Sequence, residues 1–359
     1  MRVLFRKSYL QDIRLFRDGV QAAWYGGFLA LALSAPLWLD GYFLDELALV
    51  YIYAIAGLGL MILTGFSGQV SFGQAAFVAI GAYAHTILMG RYGLPFVLSL
   101  PATALVAGLA GAAVGRVCSR MHGLYLAIAT LSVAIVTERL LGGGGAFTGG
   151  HRGLPVPEMT ILGLAMDDSW KTYLVNLTLF TGAILLTRNL LRTRSGRALI
   201  AVRDSEVSAR ALGVNVAFFK TWAFFLSAAF AGVAGAMLAH AFYYVTPEVF
   251  GMNESIRLLL MVVVGGLGTI HGAVFGAFFI VLLPTVLSLI KVWLPAAIAQ
   301  SGGFDSLIFG LILLVFILFE PDGLYGRWQK VHHFFSVFPM YKKRGFQRQK
   351  TFLKTERLR

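Results

Sequence analysis

Long apolar runs recur along this chain and constrain its fold more than any other feature. They lie at about 22–39, 47–64, 71–89, 96–117, 124–141, 173–187, 221–242, 273–290 and 307–319, with a shorter one at 256–264. A helix of about 20 apolar residues crosses a bilayer because it pairs all its backbone N–H and C=O groups within the segment. Glycine-rich or charged stretches separate the runs, and the alternating pattern of a membrane β-barrel is absent. The expected fold is therefore an all-α polytopic membrane protein of about nine to ten transmembrane segments. Composition agrees: 58% of the 359 residues are apolar and 13% charged, about half the charge of a soluble protein. The single cysteine, Cys118, excludes an internal disulfide and a cysteine-rich metal site. The basic start leads into an apolar run with no small-residue cleavage pattern, so no secretory signal peptide is read there.

A net charge of +13 raises the question of nucleic acid. The basic residues instead sit at the ends of apolar runs, the pattern that sets topology and contacts anionic lipid. Five lie in the first 19 residues, two at Arg116 and Arg120, seven in 188–220 and ten after Glu320. Arg91, Arg139, Arg152, Lys171, Arg257 and Lys291 remain for the other side. This asymmetry places both termini and segment 188–220 in the cytoplasm. The expected organisation is a basic arm at 1–19, a transmembrane domain at 20–326 and a basic cytoplasmic tail at 327–359.

Segment 188–220, RNLLRTRSGRALIAVRDSEVSARALGVNVAFFK, is a charged island between two apolar blocks. Leu199 and Val202, then Val207, Ala211 and Val214, recur at helical spacing. Asp204 and Ser205 are N-cap candidates, Glu206 suits a first turn and Gly213 suits a helix end. A short amphipathic helix at about 205–212 is expected. A loop that only fixes topology explains the arginines, but the orientation rule is indifferent to Asp204 and Glu206.

Two glycine breaks interrupt apolar sequence, GFSGQ at 65–69 and GGLGT at 265–269. In hydrocarbon an unpaired amide is costly, so unwound backbone survives only against protein or a water-filled path. Paired breaks in corresponding halves point to a solute pathway made of broken helices. Amides at a half-helix N-terminus suit a carboxylate, and carbonyls at a C-terminus suit an ammonium. The competing reading is close helix packing, which is the expectation for Gly108, Gly111, Gly115, Gly232 and Gly235. Ser67, Gln69, Ser71 and Gln74 cluster at the first break and favour a pathway there. The candidate pathway residues are Gly68, Gln69, Ser71, Gln74, Glu138, Ser255, Gly265 and Gly266.

Other chemistry is thin. Glu138, Glu254, His85, His240 and His271 fall near run ends, where interfacial exposure is expected to make them inexpensive. No histidine pair has metal-ligand spacing on one helix face, and no catalytic triad or phosphate-binding loop is present. An enzyme or a metal protein is not expected, nor is ATP hydrolysis by this chain.

Five stretches carry a family resemblance: GFSGQVSFGQAAFVAIGAYA, GLYLAIATLSVAIVTERLL, SGRALIAVRDSEVSARALGVNV, MVVVGGLGTIHGAVFGA and EPDGLYG. In that order, over about 57–326, they resemble permease subunits of branched-chain amino acid ABC importers, the LivM type. Permeases for urea and short amides, or for aromatic acids, share much of the pattern. The resemblance implies a bacterial inner-membrane permease paired with a LivH-like permease, two ATPase subunits and a periplasmic solute-binding protein. It implies no cofactor on this chain, with ATP used by the partner subunits. The island then resembles the family's coupling loop, with Arg203, Asp204, Glu206, Ala209 and Gly213 meeting an ATPase cleft. A self-sufficient secondary transporter would bury an ionisable group deep in a span, and an integral-membrane enzyme would need a catalytic constellation.

Overall fold

The computed structural model describes residues 19–291, apart from Leu162, and 323–337, with scattered positions between 308 and 318. The arm expected at 1–19, save Gly19, and the tail after 337 lie outside the described residues. At 307–319 the described positions are helical.

Helix α1 (Gly19–Ser34) leads through a 3-10 turn to α2 (Gly41–Leu60), which runs into a π-helical turn at Met61–Phe66. Every residue from Val50 to Ser67 is buried, so α2 is the central post of the molecule. After the first break come α3 (Gln74–Gly90), α4 (Phe96–Cys118) and α5 (Leu124–Gly143). A one-turn helix α6 (Gly145–Thr148) and two short antiparallel pairings follow. Strand β1 (Leu154–Pro155) pairs with β4 (Tyr244–Val245), and β2 (Thr160–Ile161) with β3 (Leu164–Ala165). Helix α7 (Ser169–Arg192) then crosses to the island, which holds α8 (Arg194–Asp204) and α9 (Glu206–Ala211). Helix α10 (Val216–Phe242) returns to the strand end. The described chain closes with α11 (Met252–Gly265), α12 (Ile270–Lys291) and α13 (Gly323–Val337).

The all-helical reading therefore holds, while the segment count does not follow from helix length. Among the described residues, six helices are long and apolar enough to cross a membrane. Helix α3 falls short at 17 residues because the first break removes its leading turn from the helix. Helix α11, at 14 residues, is stopped by Gly266, whose φ of 119° suits glycine. At about 21 Å it is shorter than the roughly 30 Å hydrocarbon core.

Helix α10 packs along α4, α3 and α2, and small residues set the approach. A Cβ on Gly111 would collide with Ala228, and one on Gly235 with the Val78 carbonyl. The packing reading of those glycines is what the helices show.

The histidine expectation needs correction. His85 and His240, expected at exposed run ends, are 0% and 8% exposed. Their Nε2 atoms share a hydrogen bond at 2.9 Å, and His85 Nδ1 lies 2.6 Å from Ser99 Oγ. Mutual bonding satisfies ring nitrogens that water would otherwise serve. Glu254 is likewise enclosed, with its side chain 13% exposed and Arg257 at 3.8 Å.

Candidate functional site

The two breaks meet. Gly65, in the π-helical turn, lies so close to Gly268 that a Cβ there would stand 2.7 Å from the Gly268 amide. That amide donates to Met61 Sδ at 3.0 Å. The π-helical turn widens the end of α2, as such turns do where a helix must yield to a neighbour. Gly268 and Gly68 have φ of 79° and 71°, a region open to glycine at no steric cost.

The island folds onto this junction. Arg203, last turn of α8, donates from Nη1 to the Gly65 carbonyl at 3.1 Å, and its stem packs against Gly68. Its Nε also donates to Asp204 Oδ1 at 3.0 Å. Ser205 caps α9 by accepting from Ser208 N at 3.2 Å, and Gly213 follows the helix end with φ of 82°. The short helix read from sequence is therefore present. Helix α8 was not foreseen; Thr193 caps it by accepting from Gly196 N. Ala209 is 1% exposed and packs with Val202 and Val216, so its small side chain serves the island's own fold. Helices α8 and α9 together form an arm distinct from the N-terminal one, and its outward apolar residues are Val207 and Leu212, 79% and 81% exposed.

Glu206 is the hub of the arm. Lys220 Nζ lies 2.5 Å from its Oε1, and His122 Nε2 lies 3.0 Å from Oε2. Burial alone would raise the Glu206 carboxyl, but Lys220 and His122 outweigh it and hold the group below the usual range. Lys220 is 2% exposed and also donates to the Ser119 carbonyl at 3.4 Å. Gln69 Nε2 reaches the Lys220 carbonyl at 3.4 Å and Ser67 Oγ at 2.7 Å. A cavity of about 290 Å³ lies between break and arm, lined by Gln69, His122, Arg203, Glu206 and Lys220 among others. Sequence reasoning misses His122 and Lys220, the latter being one of the seven basic residues of the island that fit topology.

The remaining break residues form a second cluster. Gln74 and Ser71 are fully buried, as is Ser255. Ser227 Oγ donates to Gln74 Oε1 at 3.0 Å, and Ser255 Oγ accepts from Ala75 N at 3.2 Å. Phe72 N donates to Thr130 Oγ1, and Gly73 N to Ser71 Oγ. The amides expected to await a carboxylate are thus held by α5, α11 and the break itself. Glu138 stands apart, about two turns beyond Thr130 on α5, with its carboxylate beside Gly251. Gly265 packs on the Gly272 carbonyl, and Gly266 O accepts from Thr269 Oγ1 at 3.1 Å. Among the described residues no group of three His, Cys, Asp or Glu side chains suits a metal ion.

Residues 42–317 match the family described as "Branched-chain amino acid transport system / permease component". The chain belongs to this permease family. The permease is 32% identical over 320 residues to the high-affinity branched-chain amino acid transport system permease protein LivM of Escherichia coli K12, covering 82% of this chain and 73% of LivM. It is 26% identical to permease protein BraD of Pseudomonas aeruginosa, covering 77% of this chain and 92% of BraD. Against the probable permease protein LivH of Methanocaldococcus jannaschii the identity is 27%, covering 81% and 95%. No solved structure matches significantly. The LivM-type resemblance read from five motifs holds across the permease, and its relatives are transport components.

Proposed function

We propose that this permease moves branched-chain or related hydrophobic amino acids across the bacterial inner membrane, driven by ATP hydrolysed on partner subunits. The partners are a LivH-like permease, two ATPases and a periplasmic binding protein. Both termini and the island face the cytoplasm, and α1, α3 and the apolar run at 307–319 join the six long helices as spans, with α11 as a half-helix. The observation that carries this reading is the hydrogen bond from Arg203 to the Gly65 carbonyl. Through it, an arm with an exposed apolar tip is tied to the junction of two broken helices. A cleft that takes Val207 and Leu212 pulls on α9, and the Glu206–Lys220 pair passes that displacement to α10. Arg203 passes it to the π-helical turn.

The test is reconstitution of the assembled transporter in liposomes. Leucine uptake should require ATP and all partners. Arg203→Met should leave assembly intact and lower the ratio of solute moved to ATP hydrolysed by about ten-fold, the loss of one charge-assisted hydrogen bond. Uptake by the purified chain alone, driven by an ion gradient, would overturn the reading.

A further inference from the structure

Helix α13 begins against the second break and then leaves the bundle. A Cβ on Gly323 would stand 2.6 Å from the Gly266 Cα, and Leu324 packs on the core. Tyr325 stacks on His271 of α12, with ring centroids 4.9 Å apart and planes 6° from parallel. From Arg327 to Phe334 every residue whose side chain is described is exposed. Trp328, Val331 and Phe334 stand 58%, 43% and 42% exposed. A 15-residue helix docked by its first turn is marginal in water, so its outer turns need a surface.

The residue pattern selects the surface. Leu324, Trp328 and Val331, at i, i+4 and i+7, fall on one helical face, and Phe334 follows three residues on. Arg327 and Lys330 flank that stripe, and α13 carries no acid. Ten basic residues follow Glu320 against two acids, Asp322 and Glu356. An apolar stripe edged by charge of one sign is complementary to anionic headgroups over acyl chains.

The level at which α13 starts is an independent observation. Tyr25 near the start of α1, Arg188 near the end of α7 and His271 at the start of α12 meet there. Arg188 Cζ lies 5.6 Å from the Tyr25 ring centroid, and Tyr25 Oη lies 2.6 Å from His271 Nε2. With Tyr325 they form a belt of aromatic and basic side chains at helix ends, beside the break that Arg203 also reaches. Such belts mark the plane where hydrocarbon gives way to headgroups.

We propose that α13 is an interfacial helix, seated on the bilayer at the arm's end of the bundle and selective for anionic phospholipid. Trp328, Val331 and Phe334 enter the boundary between headgroups and acyl chains, and Arg327 and Lys330 reach lipid phosphates. Because Gly323 abuts Gly266, the leaflet that holds α13 bears directly on the second break.

The experiment places an environment-sensitive dye at Val331→Cys or, on the opposite helical face, at Gln329→Cys of the purified full-length permease. Buried Cys118 does not compete for the dye. The protein sits in nanodiscs whose lipids carry a quencher just below the headgroup. Quenching at Val331→Cys should exceed that at Gln329→Cys by about two-fold or more. It should rise when an equimolar mixture with phosphatidylglycerol replaces phosphatidylcholine alone. Arg327→Gln combined with Lys330→Gln should abolish that rise with helicity unchanged, since each basic side chain is worth about five-fold in binding an anionic surface. Equal quenching at the two positions, no rise with phosphatidylglycerol, or a rise that survives both substitutions would overturn the proposal. Shielding of Val331→Cys that requires added ATPase subunits would assign the face to a protein and overturn it as well. Lipid contact is read on the permease alone, so the outcome is independent of what it transports.

Discussion

At the scale of single residues, glycine does two different jobs, and alanine substitution separates them. Gly213 faces open space, so its requirement is backbone alone. Gly213→Ala should cost about 1–2 kcal/mol of local strain in the arm and leave the bundle intact. Gly235 faces the Val78 carbonyl between α10 and α3. Gly235→Ala should cost about 1–3 kcal/mol by overpacking and lower the thermal midpoint of the whole permease. Unfolding followed by buried-tyrosine emission, with proteolysis of the arm in parallel, distinguishes the two. A shift in the global midpoint from Gly213→Ala equal to that from Gly235→Ala would contradict this division. Ala209 belongs with Gly235 in kind: it is small because Val202 and Val216 close over it.

At the scale of elements, the arm is held by charge, and that makes it sensitive to acid. A carboxylate whose pKa is lowered on folding adds stability above its ordinary value and loses it as pH falls through the lowered one. Lys220 and His122 hold Glu206 below the usual range. The arm should therefore stay docked from neutral pH down through about pH 4.5 and loosen only below it. A fluorophore on Val207→Cys reads the change as a gain in mobility. Glu206→Gln should be mobile already at neutral pH, because Lys220 is left buried without its carboxylate. A flat pH response in the unsubstituted protein would count against Glu206 as the hub. Much of this element was legible in the sequence. Ser205, Glu206 and Gly213 carry local rules of capping and termination, which act within a few residues. Helix α8 was missed because Leu199 and Val202 alone gave too short a period. The partners of Glu206 were missed because Lys220 lies on α10 and His122 in the turn between α4 and α5, and no local rule couples His122 to a residue 84 positions away. The same holds for His85 and His240, whose position near run ends suggested exposure while their pairing allows burial.

At the scale of the whole molecule, the ends of the bundle are chemically distinct, and sidedness is the measurement that fits. Val207 lies on the arm and Tyr92 on the far turn, 79% and 69% exposed. The native thiol, Cys118, is 3% exposed and does not compete for reagent. An impermeant maleimide applied to intact cells should label Tyr92→Cys and spare Val207→Cys until the membrane is opened. Labelling of Val207→Cys from outside would invert the proposed orientation.

The contact between Gly65 and Gly268 has a mechanical meaning. Two segments that touch by bare backbone have no knobs seated in holes, so turning one against the other meets no rotamer barrier. The side chain that reaches across, from Met61, is an unbranched thioether that follows its neighbour at little cost. In the proposed coupling such a joint works as a bearing, with Arg203, bonded to the Gly65 carbonyl, as its handle.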